Sequence, residues 1–136
     1  MALPRHLKVG VVLFEDAFPL DFIGPLDILN TLKPDSDAST ASDVSIDSTI
    51  LAASLDPLRV WGGMKVVPDR TFDEAAAEEW DAVLVPGGRG ARPWLESNSG
   101  AQAFLKEVVP RTKVVLTGEL GSSFRFHVCA REGQAS

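Results

Sequence analysis

The chain has 136 residues, enough for one domain of ordinary size and too few for two. It is 45% hydrophobic and 24% charged with a mean hydropathy of +0.07, a globular profile, and no run approaches the ~20 apolar residues of a membrane helix. Thirteen basic against 19 acidic residues leave a net charge of −6, the wrong sign for tracking nucleic-acid phosphates.

Val9-Gly10-Val11-Val12-Leu13-Phe14 is a continuous, β-branched apolar run. Such a run predicts a strand buried on both faces of a parallel sheet. After the loop Glu15–Pro19, Leu20 to Leu29 reads as a turn into a helix. Pro25 suits its first turn, with Leu26 and Leu29 three apart on one face. Pro34 to Asp43 is small, polar and acidic with no apolar period, and reads as a surface loop. Val44 to Ala53 resembles a strand.

Leu58–Trp61, Gly62-Gly63 and Met64–Val67 predict a hairpin, because paired glycines supply the positive φ of tight turns. Phe72 to Trp80 predicts a short helix. Asp81 to Val85 is a second buried strand, ending in the turn Pro86-Gly87-Gly88. Ser99 to Val109 predicts a helix whose Ala103, Leu105 and Val109 face a sheet, stopped by Pro110. Val114-Val115-Leu116 is a third buried strand. Strand and helix in alternation predict an α/β fold with Val9–Phe14, Val83–Val85 and Val114–Leu116 as neighbouring parallel strands.

One cysteine, Cys129, excludes an internal disulfide framework and any multi-cysteine metal site. The first eight residues lead straight into the β-like run, without the apolar core and small-residue cleavage site of a leader. A reduced cytoplasmic compartment is the expectation.

Three segments resemble the ThiJ/PfpI superfamily, with its class I glutamine-amidotransferase-like fold, and within it the isocyanide (isonitrile) hydratases. They are Gly10–Phe14 running to Leu20-Asp21-Phe22-Ile23-Gly24-Pro25-Leu26-Asp27, then Trp61–Asp69 with Thr71-Phe72, then Asp81–Gly90. Their order and spacing cover residues 7 to about 116 of a single domain. The resemblance implies a flavodoxin-like three-layer sandwich with a mostly parallel central sheet. Residues 117 to 136 depart from it, so the sheet is expected to be incomplete at the C-terminus, by truncation, splicing or a shifted frame.

In that family a cysteine sits on a strand-to-helix elbow, typically Val-Cys-Thr-Gly. The acid of the Leu-Asp-Phe segment lies near it, and amides of the Pro-Gly-Gly turn help form an anion pocket. A helix N-terminus lowers a thiol's pKa, and glycine amides can approach a developing negative charge closely. By this resemblance Asp21 is the catalytic acid, and Gly87 and Gly88 line the binding turn. Gly118-Glu119-Leu120-Gly121 stands where the elbow belongs, so Glu119 occupies the nucleophile's position and Gly121 continues the pattern. Trp94, close in sequence to the glycine turn, is a candidate pocket wall.

Plainer roles stand beside these. Asp21 can simply favour a helix dipole, Gly87 and Gly88 can serve a turn, and Cys129 can be a packed thiol. Two functional readings therefore remain. One is an isonitrile-hydratase-like carbon–nitrogen lyase, linked to secondary metabolism. It would turn an isocyanide into an N-substituted formamide without metal or organic cofactor, with little or no activity in this chain because the elbow is lost. The other is a non-catalytic module that binds a small molecule or a protein partner. A homodimer is expected, with neither nucleic acid nor membrane as partner. Asp21, Gly87-Gly88 and Thr117–Gly121 are expected to meet at the carboxyl ends of the strands.

Overall fold

A computed structural model of the chain describes residues 5–31, 44–89 and 100–118. Its elements are β1 (Arg5–Val12), α1 (Pro19–Asn30), β2 (Val44–Ala52), β3 (Leu58–Arg59), β4 (Lys65–Val66), β5 (Arg70–Thr71), α2 (Phe72–Ala75), β6 (Ala82–Val85), α3 (Ala101–Val108) and β7 (Val114–Thr117). Five strands form one sheet in the order β5-β2-β1-β6-β7, and every pairing in it is parallel. The expected trio β1, β6 and β7 are neighbours in that order. β3 and β4 form a separate antiparallel hairpin around Gly62 and Gly63, whose φ values are 88° and 92°.

Alternation along the strands explains the layers. From β1 and its extension, Val11 and Leu13 pack with Phe22 of α1, Val60 of the hairpin and Leu84 of β6. Val12 faces the other way, joining Val83 and Val85 of β6 against Phe72, Phe104, Leu105 and Val108 of the two later helices. This is a three-layer α/β sandwich with its core on both faces of a parallel sheet. Gly10 also faces the second side. A Cβ there would lie 3.1 Å from the Trp80 ring and 3.1 Å from Leu51 Cδ1, so the absent side chain lets the indole lie against the strand. The rings of Phe72 and Phe104 stack at 5.3 Å, adding about 0.5–1.5 kcal/mol to what their burial contributes.

Several boundaries differ from the sequence reading. Helix α1 begins at Pro19, and Pro25 lies inside it, where its ring nitrogen cannot donate to the Asp21 carbonyl one turn back. The helix rests on Phe22 and Leu26, an i, i+4 pair, rather than on Leu26 and Leu29. α2 has four residues, because the chain leaves the helix to bury Trp80. In α3 the buried face is Ala101, Phe104, Leu105 and Val108; of the expected stripe, Leu105 is buried and Val109 packs partly against the same core, while Ala103 is exposed. Pro110 sits in a 3-10 turn, Val109–Arg111, that extends the helix. β7 was expected to be buried, yet Val114 is 49% and Leu116 37% exposed, since β7 is the outermost strand among the described residues.

Beside the Trp80 ring, Lys8 Nζ donates to Glu78 at 2.7 Å and Arg70 donates to its other oxygen. These bonds, Lys8 first and then Arg70, hold the Glu78 carboxyl below its ordinary value of 4.5. A carboxylate with a depressed folded-state pKa contributes stability that is complete above 4.5 and is lost as pH falls through the folded value. Glu78→Gln should therefore lower stability at neutral pH and flatten its acid limb below about pH 4.5. Urea midpoints measured from pH 3 to 7 check this; an unchanged acid limb would contradict it.

Candidate functional site

The order β2-β1-β6 makes the crevice beyond β1 and β6 a switch point, where connections leave the sheet in opposite directions. Ligands of open α/β sheets bind at such points. Three chain segments close around it. Leu13–Phe18 leaves β1 and enters α1, Pro86-Gly87-Gly88 leaves β6, and Gly118 leaves β7.

Backbone contacts lock the first two together. The Phe18 amide donates to the Gly87 carbonyl at 2.8 Å, and Ala17 and Gly88 form an antiparallel bridge. A Cβ at Gly88 would stand 2.5 Å from the Asp16 carbonyl oxygen and 2.7 Å from Ala17 Cα. Both are backbone atoms with no room to give, so this position requires glycine.

With Phe18 fixed as the residue before the helix, Asp21 falls in the first turn of α1. Its half-buried carboxylate accepts the buried Gly87 amide, N to Oδ2, at 2.9 Å. The third segment arrives from β7: the Gly118 amide donates to the Val85 carbonyl at 2.9 Å. A Cβ on Gly118 would overlap the Asp21 carboxylate and lie 2.8 Å from the Gly87 nitrogen. Asp21, Gly87 and Gly118 therefore meet at one point, with glycine again required by proximity.

Asp21, Gly87 and Gly88 thus stand together where the three segments converge. Glu119, Gly121, Trp94 and Cys129 lie outside the described residues. Gly118, read only as part of a turn, turns out to bring a third stretch of backbone against the acid. A second missed feature is the aromatic pair beside the site. Trp61 of the hairpin donates its amide to the Ala17 carbonyl at 3.0 Å and meets the Phe18 ring edge-on, centroids 6.2 Å apart. The Arg89 guanidinium lies 4.8 Å from the centroid of the Trp61 ring. Among the described residues, no three His, Cys, Asp or Glu side chains form a metal-ligating group, and no helix is long and apolar enough to cross a membrane.

This architecture matches known proteins. The family model described as the DJ-1/PfpI family covers residues 7–117. The chain belongs to the DJ-1/PfpI family. It is 27% identical over 116 residues to the isonitrile hydratase of Pseudomonas putida, covering 85% of this chain and 45% of that protein. Among solved structures it is similar to a ThiJ/PfpI family protein from Pseudomonas syringae, with TM-score 0.65 and 20% identity over 82% of this chain and 41% of that one. Drosophila melanogaster DJ-1beta gives TM-score 0.63 at 17% identity, over 83% of this chain and 55% of its own. These structural likenesses carry the fold. The chain spans less than half the length of the hydratase.

Asp21→Ala leaves the buried Gly87 amide without its acceptor, which should cost about 1–3 kcal/mol. Gly118→Ala should displace the same carboxylate at comparable cost. Because both act through one hydrogen bond, the double variant should fall short of the sum of the two losses. Urea denaturation of the four proteins measures this cycle; strict additivity would show that Gly118 does not bear on Asp21.

Proposed function

We propose that the Asp21 crevice is an isonitrile-hydratase-like site in which Asp21 handles protons on a small electrophilic substrate. What supports the reading is the fixed carboxylate: an acid oriented by a buried amide at the sheet's switch point, against the backbone that leads into Glu119. Hydration of R–N≡C to R–NH–CHO needs a nucleophile at the terminal carbon and a proton on that same carbon, then water to release the formamide. Asp21 is suited to the proton steps, a contribution of about 10²–10⁴-fold in a complete site. The Gly87 amide is already committed to orienting Asp21, so we assign the developing negative charge to the Gly88 amide.

The nucleophile is where this chain departs from the family pattern. Glu119 stands at its position, and a carboxylate attacks an isocyanide carbon poorly compared with a thiolate. The 136-residue chain should accordingly give little or no formamide from an aryl isonitrile, while Glu119→Cys should raise turnover, and Asp21→Ala should abolish that gain. Chromatographic assay of the formamide tests this. Robust turnover by the unaltered chain that vanishes in Cys129→Ala would overturn the assignment of position 119. Turnover surviving Cys129→Ala but lost in Asp21→Ala would indicate a thiol-free route. A hydrating lyase of secondary metabolism, working in the cytoplasm without cofactor, is the setting we propose.

A homodimer is part of the proposal. Helix α1 leaves Leu20 79%, Ile23 45% and Ile28 69% exposed, an apolar outer side that a second copy would cover. Sedimentation equilibrium should show a dimer that the double substitution Leu20→Glu, Ile23→Glu converts to monomer. A native chain that sediments as a monomer would refute it.

A further inference from the structure

We propose that Arg89, held on the face of Trp61, makes the mouth of the Asp21 crevice a subsite for a carboxylate on an aromatic substrate. The inference rests on the small-molecule reading of that crevice and names the class of ligand it takes. Three observations carry it.

Arg89 is placed by the glycine turn. It lies two residues beyond Gly87, whose amide holds Asp21, so their Cα atoms are no more than about 7 Å apart. Its guanidinium sits 4.8 Å from the Trp61 centroid. Trp61 in turn is anchored through its amide to Ala17, the residue bridged to Gly88. A long side chain that would otherwise sweep through solvent is thus stacked beside the acid's own turn. A guanidinium over a ring keeps N–H donors that point away from it, and these can bind a carboxylate.

Trp61 and Phe18 supply the apolar surface. Their edge-to-face pair, with Trp61 45% exposed, presents flat aromatic area between the arginine and the first turn of α1.

Charge supplies the selectivity. The chain carries a net charge of −6, and Asp21 sits at the reacting end of the crevice. An anionic ligand entering that field is repelled unless a cation meets it, and among the described residues no carboxylate forms an ion pair with Arg89. A ligand whose carboxylate lies at the end away from its formamide or isocyanide group would have its ends matched: the anion to Arg89, the reacting carbon to Asp21.

Two stable formamides test the assignment without requiring turnover. The amide signals of Gly87 and Gly118 are followed by ¹H–¹⁵N correlation spectra of the full chain during titration with 4-formamidobenzoate and with neutral formanilide. The carboxylate should bind at least about fivefold more tightly, as one charge-assisted hydrogen bond at a part-exposed site would provide. That preference should shrink with added salt. Arg89→Gln should equalise the two ligands, Arg89→Lys should keep part of the preference, and Trp61→Leu should weaken both. Equal binding of the two by the unaltered chain would overturn the carboxylate subsite while leaving the crevice as a small-molecule site. A preference surviving in Arg89→Gln would overturn it too. If neither ligand moves the Gly87 and Gly118 signals, the small-molecule reading fails along with it.

Discussion

The hydrogen bond from the buried Gly87 amide to the Asp21 carboxylate joins the first helix to the turn after β6, and the crevice is built around it. Gly87 cannot turn its N–H to solvent, and an unpaired buried amide is costly, so the carboxylate is needed where it is. For Asp21 to be there, α1 must start at Pro19. That start is set by Phe18, whose amide is taken by the Gly87 carbonyl. One residue of the turn thus governs both ends of the helix's first turn, donating to Asp21 and accepting from Phe18. Gly88 then presses against Asp16 and Ala17, and Gly118 against the carboxylate itself. Three glycines bring three backbones within the reach of one acid.

This explains why the sheet can be so plain while the site is so constrained. The core on either side of β1 depends on apolar side chains in alternation, and many sequences of similar volume would fill it. Close backbone approach at 88 and 118 admits no such latitude, since the colliding atoms at 88 are main-chain atoms. Around Glu78 the arrangement is looser: Lys8, Arg70 and Glu78 meet as flexible, part-exposed side chains. Rigidity is concentrated at the crevice.

The sheet was legible in the sequence because its signal is local. Val9–Val12 and Val83–Val85 announce themselves as valine-rich runs without a polar residue, and their parallel pairing follows from the helices between them. The helix starts were less legible for a physical reason. Pro19 and Pro25 are both acceptable at a first turn, and the choice between them is made by a tertiary bond from Phe18 to Gly87, which no local pattern contains. Of the expected α3 stripe only Ala103 faces out, because the larger Phe104 takes the buried position beside it. The site was legible only through resemblance: Asp21 and Gly87 are 66 residues apart, and nothing in their spacing announces a contact. The stacking of Arg89 on Trp61 was not legible at all, since a hairpin tip and a glycine turn must fold against Ala17 to create it.

Under the proposed function Asp21 combines two tasks that are usually argued as alternatives. A carboxylate that satisfies a buried amide is a structural residue, and its presence would need no chemistry to explain it. Yet only Oδ2 is committed to Gly87, and the position beside that oxygen is occupied by a residue without a side chain. Glycine at 118 brings the backbone at the end of β7 right up to the carboxylate, an approach that the proposed proton transfer would use. The tie to Gly87 and the approach of Gly118 are then one arrangement seen from two sides. The amide fixes the carboxylate, and the missing side chain lets the end of β7 come to it.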